Sequence, residues 1–273
     1  MDPLVAAFIM GTVQGLTEFL PVSSSGHLII VPYLLGINDP FLTSLEFSVI
    51  LHIGTLAALL LYFSADWLRI VPAFFSALRD RSLAGDPDRR MAMLLAVATV
   101  PALIVGFLLH DLEDLLREQV GLVAVMLVVG GVILFIAERA GSRSKLALDL
   151  QPVTAFGIGA AQALALIPGI SRSGISISAG LFAGLRREEA ARFSFLMATP
   201  VTAAAAAYEA LQAVRGQGPP VEVGPLVVGL AASFLFGVLA ISFLIRYLRT
   251  HSTDIFVAYR IALAIIVLIV WLG

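Results

Sequence analysis

A polar, proline-broken stretch set in an apolar chain, and repeated once, limits this sequence to very few folds. Residues 11–27 read GTVQGLTEFLPVSSSGH, and residues 159–174 read GAAQALALIPGISRSG. Displaced by 148 residues, Gly11, Gln14, Leu16, Ser23, Ser25 and Gly26 fall on Gly159, Gln162, Leu164, Ser171, Ser173 and Gly174, six identities in sixteen positions. Three apolar segments of spanning length follow each copy: 45–64, 91–110 and 120–138, then 192–211, 226–248 and 255–272. Three is odd, so the second copy starts on the opposite face of a membrane from the first. That predicts an inverted-topology repeat.

Composition supports the membrane. Hydrophobic residues make up 59% of 273 and charged residues 13%, too apolar for a soluble domain. The ten-residue alternating pattern of a membrane barrel is absent, so the class is all-α. Residues 4–13 amount to about 15 Å of helix, half a hydrocarbon core, and 28–36 is another short apolar piece. Two short helices around a broken polar tip read as a re-entrant hairpin. A single kinked span over 4–31 would instead leave Glu18 unpaired near the bilayer centre. The expected fold is an all-α integral membrane protein of six transmembrane helices plus two re-entrant hairpins. It forms a single domain, 1–273, in two repeats: 1–140 with hairpin 1–36, and 141–273 with hairpin 152–184. With no cysteine, disulfides and thiol catalysis are excluded. A net charge of -2 without a basic tail gives no nucleic-acid partner. The opening Met1-Asp2-Pro3 lacks a positive n-region, which argues against a cleaved signal.

The Arg-rich connection 65–90 starts with Trp67, Leu68, Ile70, Val71, Phe74, Phe75 and Leu78 among charges, a helix extended along the interface. Residues 82–90 then form a loop. Arg69, Arg79, Arg81, Arg89, Arg90, Arg139, Arg143, Lys145, Arg186, Arg187, Arg192, Arg246 and Arg249 fall on one side, and only Arg117 and Arg215 on the other. The first side is therefore cytoplasmic, both termini lie outside, and the first hairpin opens outward. His52, alone on an apolar helix, reads as a packing residue. Arg260, a few residues into the last span, is expected to snorkel to the cytoplasmic interface. Arg172, at the second tip, cannot.

At mid-depth the tips bring Gln14, Glu18, Ser23, Ser24, Ser25 and His27 toward Ser171, Arg172, Ser173 and Ser176. The Arg fork matches phosphate oxygens. Serine-glycine turns at helix N-termini add hydroxyl and N–H donors. A carboxylate and a His supply a metal ligand and base, or a base and acid. Together these point to phosphoryl transfer. Each serine taken singly reads as a helix-to-helix hydrogen bond, and Glu18 with Arg172 could be a structural ion pair. Glu18, His27 and Arg172 together on paired broken helices favour function.

QGLTEFLPVSSSGH resembles the first signature of the bacterial undecaprenyl-pyrophosphate phosphatase family (the bacitracin-resistance type), a Glu-or-Gln, three residues and Glu leading to PVSSxGH. PGISRSGIS is similar to its second signature, PGxSRSxxT. Gln14 takes the neutral option at the first carboxylate position, and Ser176 stands where the family usually has Thr. The likeness runs end to end. It implies removal of the terminal phosphate from a polyprenyl pyrophosphate in the bacterial plasma membrane. This returns the carrier lipid for cell-wall assembly, with a divalent cation, Mg or Ca, as the usual requirement.

The roles expected are a phosphate clamp from Arg172 with Ser171 and Ser173, and Glu18 with Gln14 positioning a metal or polarising the attacking hydroxyl. Ser24 is the expected nucleophile, and His27 the general acid or base. A metal-bound water is the rival nucleophile, with Ser24 then only holding phosphate. Ser23, Ser25 and Ser176 complete the substrate-binding set. The partners are the lipid substrate and the surrounding membrane, with room left for a homodimer. Inverted repeats with broken helices are also transporter architecture, so a carrier or flippase for a phosphate-bearing lipid or anion is the alternative.

Overall fold

The computed structural model describes residues 1–83, 85–109, 116, 119–214 and 222–272. Arg117, Arg215, Gly273 and the end of span 91–110 at His110 lie outside the described residues. All named elements are helices, and the described residues contain no strand beyond an isolated bridge between Lys145 and Leu185.

The first helix, α1 (Pro3–Phe19), starts where Asp2 accepts hydrogen bonds from the backbone N–H of Leu4 and Val5. It runs through Gln14 and Glu18, so it measures about 25 Å rather than the 15 Å of its purely apolar part. Pro21 prevents its continuation. After Ser23 comes α2 (Ser24–Leu35), closed by Gly36 in the left-handed region at φ 65°. The next pair, α3 (Leu45–Tyr62) and α4 (Ser64–Asp80), is bent by 85° at Phe63. Leu68, Val71, Phe75 and Leu78 form an exposed stripe on α4, opposite buried Ile70, Ala73 and Ala77. This is the pattern of a helix lying along an interface.

The remaining helices are α5 (Pro87–Leu108), α6 (Val120–Ala140), α7 (Pro152–Gln162, extended by a 3-10 turn to Leu166), α8 (Arg172–Phe182), α9 (Arg187–Val214), α10 (Val223–Tyr247) and α11 (Asp254–Leu272). Among the described residues five helices, α5, α6, α9, α10 and α11, are long and apolar enough to cross a membrane, or six if the bent α3–α4 pair is one span. Their outward faces are apolar, with Phe107, Phe243, Ile265 and Ile269 all more than half exposed.

Each break in the short helices is built the same way. Ser23 (φ 76°, ψ 93°) and Ser171 (φ 78°, ψ 116°) share a left-handed backbone, and each hydroxyl accepts from the N–H three residues on, Gly26 or Gly174. The helices leading into the breaks also pack alike. Gly11 of α1 lies against the backbone of Gly229 on α10, and Gly159 of α7 against that of Ala98 on α5. Any side chain at Gly11 or Gly159 would collide with backbone there.

At one end of the bundle the Arg-rich connections knit together. Asp66 accepts from Arg69 and Arg192, each at 2.7 Å, and Arg139 pairs with Asp254 at 2.9 Å. Buried Glu138 takes Arg143 and Arg187 with the Thr253 hydroxyl. The apolar core surrounds the tips, with Phe19 edge-on to Phe195 at 5.3 Å.

Candidate active site

Glu18, almost at the end of α1, is 5% exposed and is met by side chains from three other helices and from the preceding turn of its own. One carboxylate oxygen, Oε1, pairs with Arg172 Nη2. The other, Oε2, accepts from the Ser24 hydroxyl at 2.6 Å and from Gln14 Nε2 at 3.0 Å. His52 Nε2 lies 3.4 Å from that same oxygen. Gln14 reaches Glu18 because four residues make about one helical turn.

Ser24 and Arg172 hold equivalent places, each being the first residue of its helix, α2 or α8. The repeated break thus directs a hydroxyl and a guanidinium onto the two oxygens of one carboxylate. Arg172 also donates from Nη1 to Thr202 on α9 at 2.5 Å, which fixes the plane of its fork. Ser173 ties the tips together by donating to Leu20 O at 2.9 Å, and its hydroxyl lies 3.2 Å from that of Ser171. Ser24, Ser25, His52 and Arg172 are part-exposed and form the open side of the cluster. A hydroxyl, an imidazole and a guanidinium, all groups able to donate to an anion, are thus gathered on one part-exposed side.

Other expected site residues are engaged elsewhere. Ser176 is fully buried, donates to Arg172 O at 2.5 Å and lies 2.6 Å from the Ser194 hydroxyl, so it joins α8 to α9. Ser23 caps α2, with Ser25 3.4 Å from it. His27 places Nδ1 2.6 Å from Ser23 O and Nε2 2.8 Å from the Tyr259 hydroxyl, and stacks on that ring at 5.6 Å. A carbonyl only accepts, so Nδ1 carries the hydrogen. The imidazole beside the carboxylate is that of His52.

Among the described residues no group of three or more His, Asp or Glu side chains is arranged to hold a metal ion, and the oxygens at the tip that a divalent cation could use are those of Glu18 and Gln14. Gln14 turns Nε2 to the Glu18 carboxylate, and its Oε1 is buried with no hydrogen-bond partner among the described residues. Hard oxygens of this kind suit Mg²⁺ or Ca²⁺, and Mg²⁺ in particular is commonly held by one or two carboxylates with waters and substrate phosphates completing its shell.

The model of the bacitracin resistance protein BacA family matches residues 7–266. The chain belongs to the BacA family. A relative named undecaprenyl-diphosphatase from Rubrobacter xylanophilus is 45% identical over 98% of this chain and 98% of its own length. Two others of that name, from Desulforudis audaxviator and Chlorobaculum tepidum, are 42% and 43% identical. They cover 99% and 96% of this chain and 98% and 95% of their own lengths.

Four residues that touch the candidate site or its two tips carry no signal in the sequence: His52, Thr202, Tyr259 and Arg260. His52 was read as a packing residue. It does hold a backbone carbonyl, with Nδ1 2.6 Å from Ser48 O, but its other nitrogen faces Glu18. The turn spacing of Ser48 and His52 gives no hint of this. Arg260 does not snorkel. It is 0% exposed, turned inward to backbone carbonyls at both tips. Gln162, the counterpart of Gln14, is 3% exposed, and neither of its amide atoms has a partner among the described residues.

Proposed function

We propose that this protein hydrolyses undecaprenyl pyrophosphate to undecaprenyl phosphate and inorganic phosphate, acting within the bacterial plasma membrane. The observation that carries the reading is the shared carboxylate: Glu18 is hydrogen-bonded to a nucleophile-grade hydroxyl and paired with an anion-binding fork. The names of the full-length relatives support it and do not favour a transporter.

In the proposed reaction the terminal phosphate enters on the open side and draws the Arg172 fork onto its oxygens, with Ser171, Ser173 and Ser25 hydroxyls near by. Releasing Arg172 leaves Glu18 free to take the proton of Ser24 Oγ, already 2.6 Å away. Ser24 Oγ then attacks the terminal phosphorus, the bridging P–O bond breaks, and the lipid monophosphate leaves. In a second step water attacks the phosphoserine phosphorus, the Ser24 Oγ–P bond breaks, Glu18 returns its proton to Ser24 Oγ, and inorganic phosphate leaves with the proton shed by water. His27 serves as general acid or base only after exchanging Tyr259 for substrate. Glu18 and Gln14 Oε1 would hold a divalent cation, which when bound would neutralise charge on the pyrophosphate.

The architecture proposed with it is the inverted repeat. Its support is the matched serine breaks and the matched seats of Gly11 and Gly159. The Arg-rich end would face the cytoplasm and the first hairpin the outside. The test is phosphate release from the purified protein in detergent, where no gradient exists. Rapid quench with labelled substrate should trap phosphoserine at residue 24. Turnover by Ser24→Ala would give the nucleophile's role to water, and absence of any phosphate release would remove the enzyme reading.

A further inference from the structure

Arg260 is among the largest fully buried side chains in the protein, and no carboxylate pairs with it among the described residues. Its guanidinium is spent on main-chain oxygens. Nε donates to Leu127 O at 2.9 Å, and Nη1 to Pro21 O at 3.2 Å. Nη2 faces Gly169 O at 2.7 Å, Ile170 O at 3.0 Å and Met126 O at 3.3 Å. Pro21 belongs to the first break, Gly169 and Ile170 to the second, and Met126 and Leu127 to α6.

Broken helices leave carbonyls without partners, and at membrane depth each must find a donor inside the protein. Arg has five donors in a rigid plane, which a Lys ammonium cannot match. The surrounding backbone makes room for that plane. A methyl at Gly130 would strike Arg260 Nη2 and come within 2.6 Å of Ile170 O, and one at Gly174 would lie 3.1 Å from Nη1.

We infer that Arg260 is a positioning residue of the active site: one guanidinium fixes the first tip to the second and both to α6, and so sets Ser24 and Glu18 against Arg172. The inference rests on the proposed hydrolase reading for its kinetic consequence. Its geometric consequence stands apart from that reading. Arg260 touches none of the proposed reacting groups, so its loss acts on alignment.

The chain has no cysteine, which allows spin labels at Tyr33→Cys on α2 and Phe182→Cys on α8, both exposed positions. With Arg260 present the distance between labels should be narrowly distributed. In Arg260→Gln the distribution should broaden, kcat for undecaprenyl pyrophosphate should fall by about 100-fold, and KM should move by less than about threefold. Arg260→Lys should recover only part of kcat. Gly130→Ala keeps the charge while displacing the fork, and should lower kcat by about tenfold with a broadened distribution, covering the case in which the Arg260 variants fail to fold. Wild-type kcat in Arg260→Gln or in folded Gly130→Ala would overturn the inference. So would a loss of kcat with an unchanged distribution, because charge rather than position would then be at work. If the unsubstituted protein releases no phosphate, the hydrolase reading fails, and the label distances alone decide whether Arg260 pins the tips.

Discussion

Glu18 takes its importance from having two oxygens with different duties, one for Arg172 and one for Ser24. Glu18→Gln keeps one acceptor oxygen, sets an NH2 donor against either the Arg172 fork or the Ser24 hydroxyl, and removes the charge that would take the Ser24 proton. We expect hydrolysis to fall at least 1,000-fold, about 4 kcal/mol of barrier, with substrate binding still measurable by equilibrium dialysis. Gln14→Glu should be tolerated, and should lower the Mg²⁺ or Ca²⁺ concentration giving half-maximal activity by adding a second charged oxygen. Arg172→Lys keeps the charge but loses the fork, so most turnover should vanish while circular dichroism stays unchanged. A different balance governs Ser23 and Ser171, whose positive φ costs about 1–3 kcal/mol in a residue with a Cβ. Glycine there relieves strain and loses only a few tenths of a kcal/mol of capping. Ser171→Gly should therefore raise the melting temperature while slowing turnover, because the hydroxyl beside Ser173 is gone.

At the scale of elements, tight seats decide which helices tolerate change. Gly11→Ala and Gly159→Ala each drive a methyl into a neighbouring backbone, and thermal unfolding should show losses of about 1–3 kcal/mol for each. Gly106→Ala, which meets nothing, serves as the neutral comparison. The helices themselves were legible from apolar length, and the breaks from Pro21 and the serine runs. Gln14 and Glu18 could be placed together because one helix turn joins them. His52 could not, since its contact with Glu18 depends on how α3 settles beside α1. Arg260 was misread for a related reason: the oxygens that hold it lie in three breaks or helices far away in sequence, and hydropathy marks carbonyls nowhere. Polar residues facing the site carry α1 beyond its apolar part to Phe19, up to the break at Pro21.

For the whole molecule, orientation is the first thing to establish. Asp2→Cys should react with a membrane-impermeant maleimide on intact cells, and reaction only after lysis would reverse the proposed topology. The apolar outer faces of α5, α10 and α11 have a kinetic meaning as well. A polyprenyl chain loses about 0.8 kcal/mol for each CH2 drawn into water, so it stays among lipids while its head is processed. Encounter is then a search in two dimensions. The relevant concentration is the mole fraction of substrate in the lipid or detergent phase, not its amount per litre. Diluting mixed micelles at fixed composition should leave turnover per enzyme unchanged, whereas adding inert detergent at fixed substrate should slow it in proportion.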